Sequence, residues 1–170
     1  METKPNRRAT WAWLLVALGV WAGGTVYSKL RTPPAPTPSW QHPVSELTPA
    51  QQQFHARLRD QLRAAERDRG TTKTWPPAST HFPAAWKLSQ LRTTVNYVGE
   101  GEGLRWLVLF LEPDPRAVAE KAPPEVDEHH TLSDGTPLHV TVWTQPLTEP
   151  ALGQLTAFPA AEGWVERVRR

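Results

Sequence analysis

The chain has 170 residues, which suits one small domain with an appendage and excludes an enzyme built from separate cofactor and substrate lobes. Its 18 prolines are about twice the usual share of roughly 5%, and 39% apolar residues fall below the roughly 45–50% of globular chains, so much of the chain is linker or loop. The net charge of +2 is uneven: Lys4, Arg7, Arg8, Lys29 and Arg31 against Glu2 give +4 before residue 32, and the remaining 14 basic and 16 acidic residues give −2. That remainder lacks the basic footprint that neutralising phosphates requires, so nucleic-acid binding is not expected. The absence of cysteine excludes disulfides, thiolate metal sites and a cysteine nucleophile.

Residues 1–8 read as a short cytoplasmic tail and 9–28, ATWAWLLVALGVWAGGTVYS, as a transmembrane helix, because twenty uncharged residues at about 1.5 Å each cross a hydrocarbon core of roughly 30 Å. Trp11, Trp13 and Tyr27 fall near its ends, where aromatic rings favour the interfaces. Three basic side chains before the span and two after it place the N-terminus inside. A cleaved signal peptide ending near Val20-Trp21-Ala22 is the alternative, but apolar character continuing to Tyr27 favours a retained signal anchor in membrane lipid. Both readings export the rest of the chain. The expectation is a single-pass protein of the inner (plasma) membrane with a periplasmic or extracellular domain. Residues 29–47, with prolines at 33, 34, 36, 38 and 43, read as a semi-rigid polyproline linker.

The exported domain is expected over 48–170. Thr48-Pro49-Ala50-Gln51 has the residues of a capping box with proline at the first helical position, and Gly70 suits the stop. Between them Phe54, Leu58, Leu62 and Ala65 form one apolar stripe, while Arg59, Arg63 and Arg67 recur on what reads as a solvated face laced with ion pairs. Residues 71–83 read as loop, with Trp75, Phe82 and Trp86 as plugs against the core. Alternation from Leu91 to Tyr97 predicts a half-buried strand, and the apolar run LRWLVLFL (104–111) predicts a central strand covered on both faces. The GEGEG between them reads as a turn, not a phosphate loop, since two glutamates repel phosphate and a strand follows.

Residues 112–124 read as a proline-interrupted crossing with a short helical turn at 116–121. Asp134-Gly135 signals a second hairpin, with Leu138, Val140 and Val142 facing the core and His139, Thr141 and Trp143 facing away. A short helix packed through Leu152, Leu155 and Phe158 and a last edge strand from Trp164 complete the chain. The fold class is α+β: the transmembrane helix and linker, then one long helix packed on a four- or five-stranded antiparallel sheet.

One constellation points to chemistry. If Asp134-Gly135 is a two-residue loop, His130 lies across from His139; if Gly135 closes a three-residue loop as a bulge, His129 does. Opposed residues have Cβ atoms about 4.5–5.5 Å apart, close enough for two imidazoles to share zinc or copper, with Glu128 or Asp127 as an oxygen ligand. Histidines on an exposed hairpin face need no ligand, however, and zinc wants three or four. Trp143, beside Thr141 and His139, reads as an exposed anchor for a partner protein. No catalytic, Walker or dinucleotide motif is present, so an enzyme is not expected. The leading expectation is a membrane-anchored, non-enzymatic accessory protein whose exported domain binds another envelope protein. The alternative is a periplasmic metal-handling protein using His129, His130, His139 and Glu128.

Overall fold

The computed structural model describes residues 37–113, 128–148 and 155–169. The chain divides into two units, Met1–Thr37 and Pro38–Arg170. The predicted span at 9–28, the helical turn at 116–121, Asp127 and Leu152 lie outside the described residues. Among the described residues no helix is long and apolar enough to cross a membrane.

The long helix, α1, covers Pro49–Thr72. Its start follows from the capping box: the Thr48 hydroxyl accepts from the Gln51 N–H, and the Gln51 side chain accepts from the Thr48 N–H. Gly70 is not the stop. The helix continues to Thr72 and ends at Lys73 in the left-handed region, φ 64°. Gly70 is buried because the Ser133 hydroxyl occupies the place a Cβ would take. The buried face carries Leu58, Leu62 and Ala65 as the stripe requires, and also His55 and Arg59. Arg59 thus departs from the wet face expected of the arginine row, whereas Arg63 pairs with Asp60 at 3.7 Å in solvent. Burial first, then the charges of Arg59, Arg169 and Arg167, hold the His55 imidazole down at about 4.

Seven strands form the sheet: β1 (Gln41–Pro43), β2 (Lys87–Leu91), β3 (Thr94–Gly101), β4 (Leu104–Leu111), β5 (His129–Thr131), β6 (Pro137–Pro146) and β7 (Val165–Val168). Their order is β1-β7-β6-β4-β3-β2, with β5 also on β6. The sheet is mixed and not purely antiparallel, because β1 runs parallel to β7, pairing Gln41 with Glu166. Two short pieces, β1 and β2, exceed the five strands expected, and β7 is the expected last strand in a different setting. β1 lies inside the proline-rich stretch, where composition reads as spacer. β2 is not expected: the predicted strand starts at Leu91, the last residue of β2, and its alternation runs straight through the turn at Arg92, whose positive φ of 53° no glycine or asparagine announces. β7 is covered by β1 and is not an edge.

The core has two layers. Beneath α1 lie Val95, Tyr97, Trp106, Val108 and Phe110, sealed at one end by the predicted plugs Trp75, Phe82 and Trp86. The segment carrying them includes a short helix, α2 (Ala78–His81), and Pro76 accepts from the Tyr97 hydroxyl at 2.6 Å. The glycines of β3 make room for these rings: a Cβ at Gly99 would meet Trp86, and one at Gly101 would meet Phe54. At the end of α1, Glu112 receives Arg69 in a two-pronged contact (2.9 and 2.7 Å) and the Trp75 indole N–H at 2.6 Å, while Arg69 also donates to Asp134 at 3.2 Å. A second cluster, Leu107, Leu109, Trp143 and Trp164, covers the opposite face, so β4 is buried on both sides as its sequence implies. The 155–164 segment is laid over that face by two amides: Asn96 donates to the Thr156 carbonyl (3.1 Å) and Gln145 to that of Glu162 (3.1 Å). Phe158 does not pack as predicted; it is 78% exposed, just before a 3-10 turn at Pro159–Glu162.

Candidate functional site

The register of the second hairpin follows the bulged alternative. Leu132 N–H donates to Thr136 and Gly135 N–H to Leu132, each at 2.9 Å, and Gly135 has φ +86°, so Ser133-Asp134-Gly135 is a three-residue loop closed by glycine in the left-handed region. The bond from Val140 N–H to Glu128 and that from Leu132 N–H to Thr136 mark the hydrogen-bonded pairs of β5 and β6. Pro137, opposite Thr131, falls between them, where no donor is needed. His129 and His139 likewise oppose one another at a non-bonded position, where side chains come closest.

Their rings are nearly parallel, 6° apart with centroids separated by 4.3 Å, and the two Nδ1 atoms lie 3.0 Å apart. His139 Nδ1 is also 3.1 Å from the Glu128 carbonyl oxygen. A carbonyl only accepts, so His139 carries its proton on Nδ1 and His129 Nδ1 accepts from it. Both histidines are 8% exposed. His130 does not join them. It pairs with Leu138 on the face toward α1, and its Nε2 lies 3.3 Å from Glu66. A concavity of about 300 Å³ brings His129 and His139 together with Glu128, Glu166, Gln41 and Arg169. Gln41 Nε2 donates to Glu166 at 2.7 Å, tying β1 to β7 beside it. Among the described residues no group of three or more His, Asp or Glu side chains is placed to hold one metal ion.

The same face carries a second, apolar cleft of about 360 Å³, which shares His139, Gln41 and Glu166 with the first. Thr141 and Trp143 line it, pointing away from α1 as the alternation of β6 requires. Trp143 is not an exposed ring, however. It is 5% exposed, its indole N–H donates to the Thr141 hydroxyl at 2.7 Å, and Trp40 stacks on it with centroids 5.5 Å apart. The accessible aromatics of the cleft are Trp40 and Phe158.

Sequence reasoning missed these two for different reasons. Trp40 sits in the proline-rich stretch and enters the sheet only through β1, and Phe158 shows the apolar spacing of a packed residue. The signal available for Trp40 was its place two residues after Pro38, where the chain enters the compact unit. No family model, curated protein or solved structure matches the chain.

Proposed function

We propose that the chain is a membrane-anchored, non-enzymatic accessory protein of the cell envelope, whose exported domain binds another envelope protein through the sheet face opposite α1. Residues 9–28 provide the anchor in lipid and 29–37 the spacer. The observation that carries the binding reading is Phe158: a phenyl ring 78% exposed at an apolar cleft of about 360 Å³, beside a half-open Trp40, while the other large rings among the described residues are buried or, like Phe54, partly buried. Exposed aromatic groups of this kind, next to a desolvated pocket, are favoured as anchors in protein interfaces. An apolar side chain of the partner fills the cleft between Trp40 and Phe158, with Thr141 and His139 at its floor.

The test is a photoreactive amino acid placed at Phe158, at Trp40 and, as a control, at Arg63 on the solvated side of α1. The proposal expects one distinct cross-linked protein in intact membranes from the first two positions and none from the third. Equal capture from all three positions, or none from Phe158 and Trp40, refutes it.

A further inference from the structure

We infer that β2 is an acceptor edge for strand addition: an extended segment of another protein, apolar at its centre and acidic at its ends, pairs with Lys87–Leu91 and lengthens the sheet. The inference goes beyond binding at the apolar cleft and does not depend on it. Which backbone groups are open follows from the ladder. The Glu112 N–H donates to the Thr93 carbonyl, so the odd-numbered residues of β3 bond toward β4. The even-numbered ones, Thr94, Asn96 and Val98, therefore bond toward β2 and occupy the N–H and C=O groups of Leu91, Ser89 and Lys87. Those of Leu88 and Gln90 point outward. β2 ends the strand order, and among the described residues no backbone group pairs with its outer side.

The other edges are poorer templates. β1 and β5 have three residues each, and β1 ends on Pro43, which has no donor. β2 has five residues and no proline. Leu91, at its end, is 61% exposed on the face opposite α1: it pairs with Thr94, which pairs with Leu111 of the second core cluster. An apolar side chain of the added strand covers it. Charge selects the occupant. Lys87 and Arg92 are exposed at the two ends of the edge, and among the described residues neither has an ion-pair partner. A second copy of the chain is therefore disfavoured. Antiparallel pairing of two β2 edges about Ser89 is the register that joins Leu88 of each copy to Gln90 of the other. It also sets Lys87 of each copy opposite Leu91 of the other, next to the Arg92 turn, so cations meet at both ends. A strand with acidic ends brings the opposite sign to the same two places, in either direction of pairing.

The probe is a capped peptide with paired aspartates on either side of a Val-Thr-Val centre, compared with the same peptide carrying lysines in place of the aspartates. Each is added to the full-length, detergent-solubilised protein, and amide hydrogen exchange is followed by NMR. Saturating aspartate peptide should slow exchange at Leu88 and Gln90 by at least about tenfold and leave Ser89, already bonded to Asn96, unchanged. The lysine peptide should bind about tenfold more weakly, because two attractive charge contacts become repulsive. Lys87→Glu combined with Arg92→Asp should reverse the preference between the two peptides, and circular dichroism confirms that this variant remains folded. Gln90→Pro removes only an outward donor, so it should abolish protection at Leu88 by the aspartate peptide. Absence of protection at Leu88 and Gln90 in the unaltered chain, equal binding of the two peptides, or concentration-dependent protection without peptide, which gives the edge to a second copy, overturns the inference.

Discussion

Replacing His55 by leucine separates one buried proton site from the rest of the acid response. His55 is 3% exposed and packs beside Trp106, with ring centroids 6.2 Å apart. Burial and the nearby guanidinium groups lower its folded value from 6.5 to about 4. Above 6.5 the imidazole is neutral in both folded and unfolded chains and adds no pH dependence. Below 6.5 the unfolded chain takes up a proton that the folded chain refuses, so stability falls with pH until about 4 and then levels off. At about 1.36 kcal/mol per unit, the full interval is worth about 3 kcal/mol, and the part between pH 6.5 and 5, above most carboxylate titration, about 2 kcal/mol. Urea unfolding followed by tryptophan fluorescence at several pH values measures it. The wild-type protein should lose about 2 kcal/mol more than His55→Leu over that window. Parallel stability curves for the two proteins would show that His55 is protonated in the folded state, and the reasoning from its burial would be wrong.

Two further substitutions probe the packing around the sheet. Gly99→Ala places a methyl group in the Trp86 ring, so thermal unfolding should show a loss of about 1–3 kcal/mol, partly recovered by Trp86→Leu. Glu112→Ala leaves the Trp75 indole N–H and two of the Arg69 donors without their acceptor at a site where both charged groups are mostly buried, 13% and 16% exposed. It should cost about 2–3 kcal/mol in urea titration, and a change below about 0.5 kcal/mol would show that water replaces the carboxylate freely.

Local chemistry made some elements legible and hid others. The capping box at Thr48, the alternation on β6 and the doubly buried run of β4 are each decided within a few residues, and they appear as read. The hairpin bulge was open between two registers, because an Asp-Gly pair serves either loop. In the bulged loop Asp134 accepts from the Thr136 N–H at 3.0 Å and is also held from the end of α1 by Lys73 and Arg69 at 3.0 and 3.2 Å, a tertiary contact that the pair of residues alone does not reveal. The same distinction explains the site. Facing histidines were implied by every register, but which pair met depended on the turn. The burial of Trp143 under Trp40 depends on β1, whose three residues have no pattern of their own and exist as a strand only because β7 offers an unpaired edge. Gly70 carries the composition of a terminator, yet its role is to admit Ser133 from a distant hairpin.

The parallel pairing of β1 with β7 imposes a timetable on synthesis. Gln41 leaves the ribosome early, but the residue its side chain bonds, Glu166, follows 125 positions later. Until then the first strand has no ladder to join, and Trp40 has no fixed platform over Trp143. The contacts that Trp40 and Gln41 make with β7 therefore wait until translation is nearly finished. Closure of the domain is thus a late event, governed by long-range pairing and intrinsically slow for the same reason.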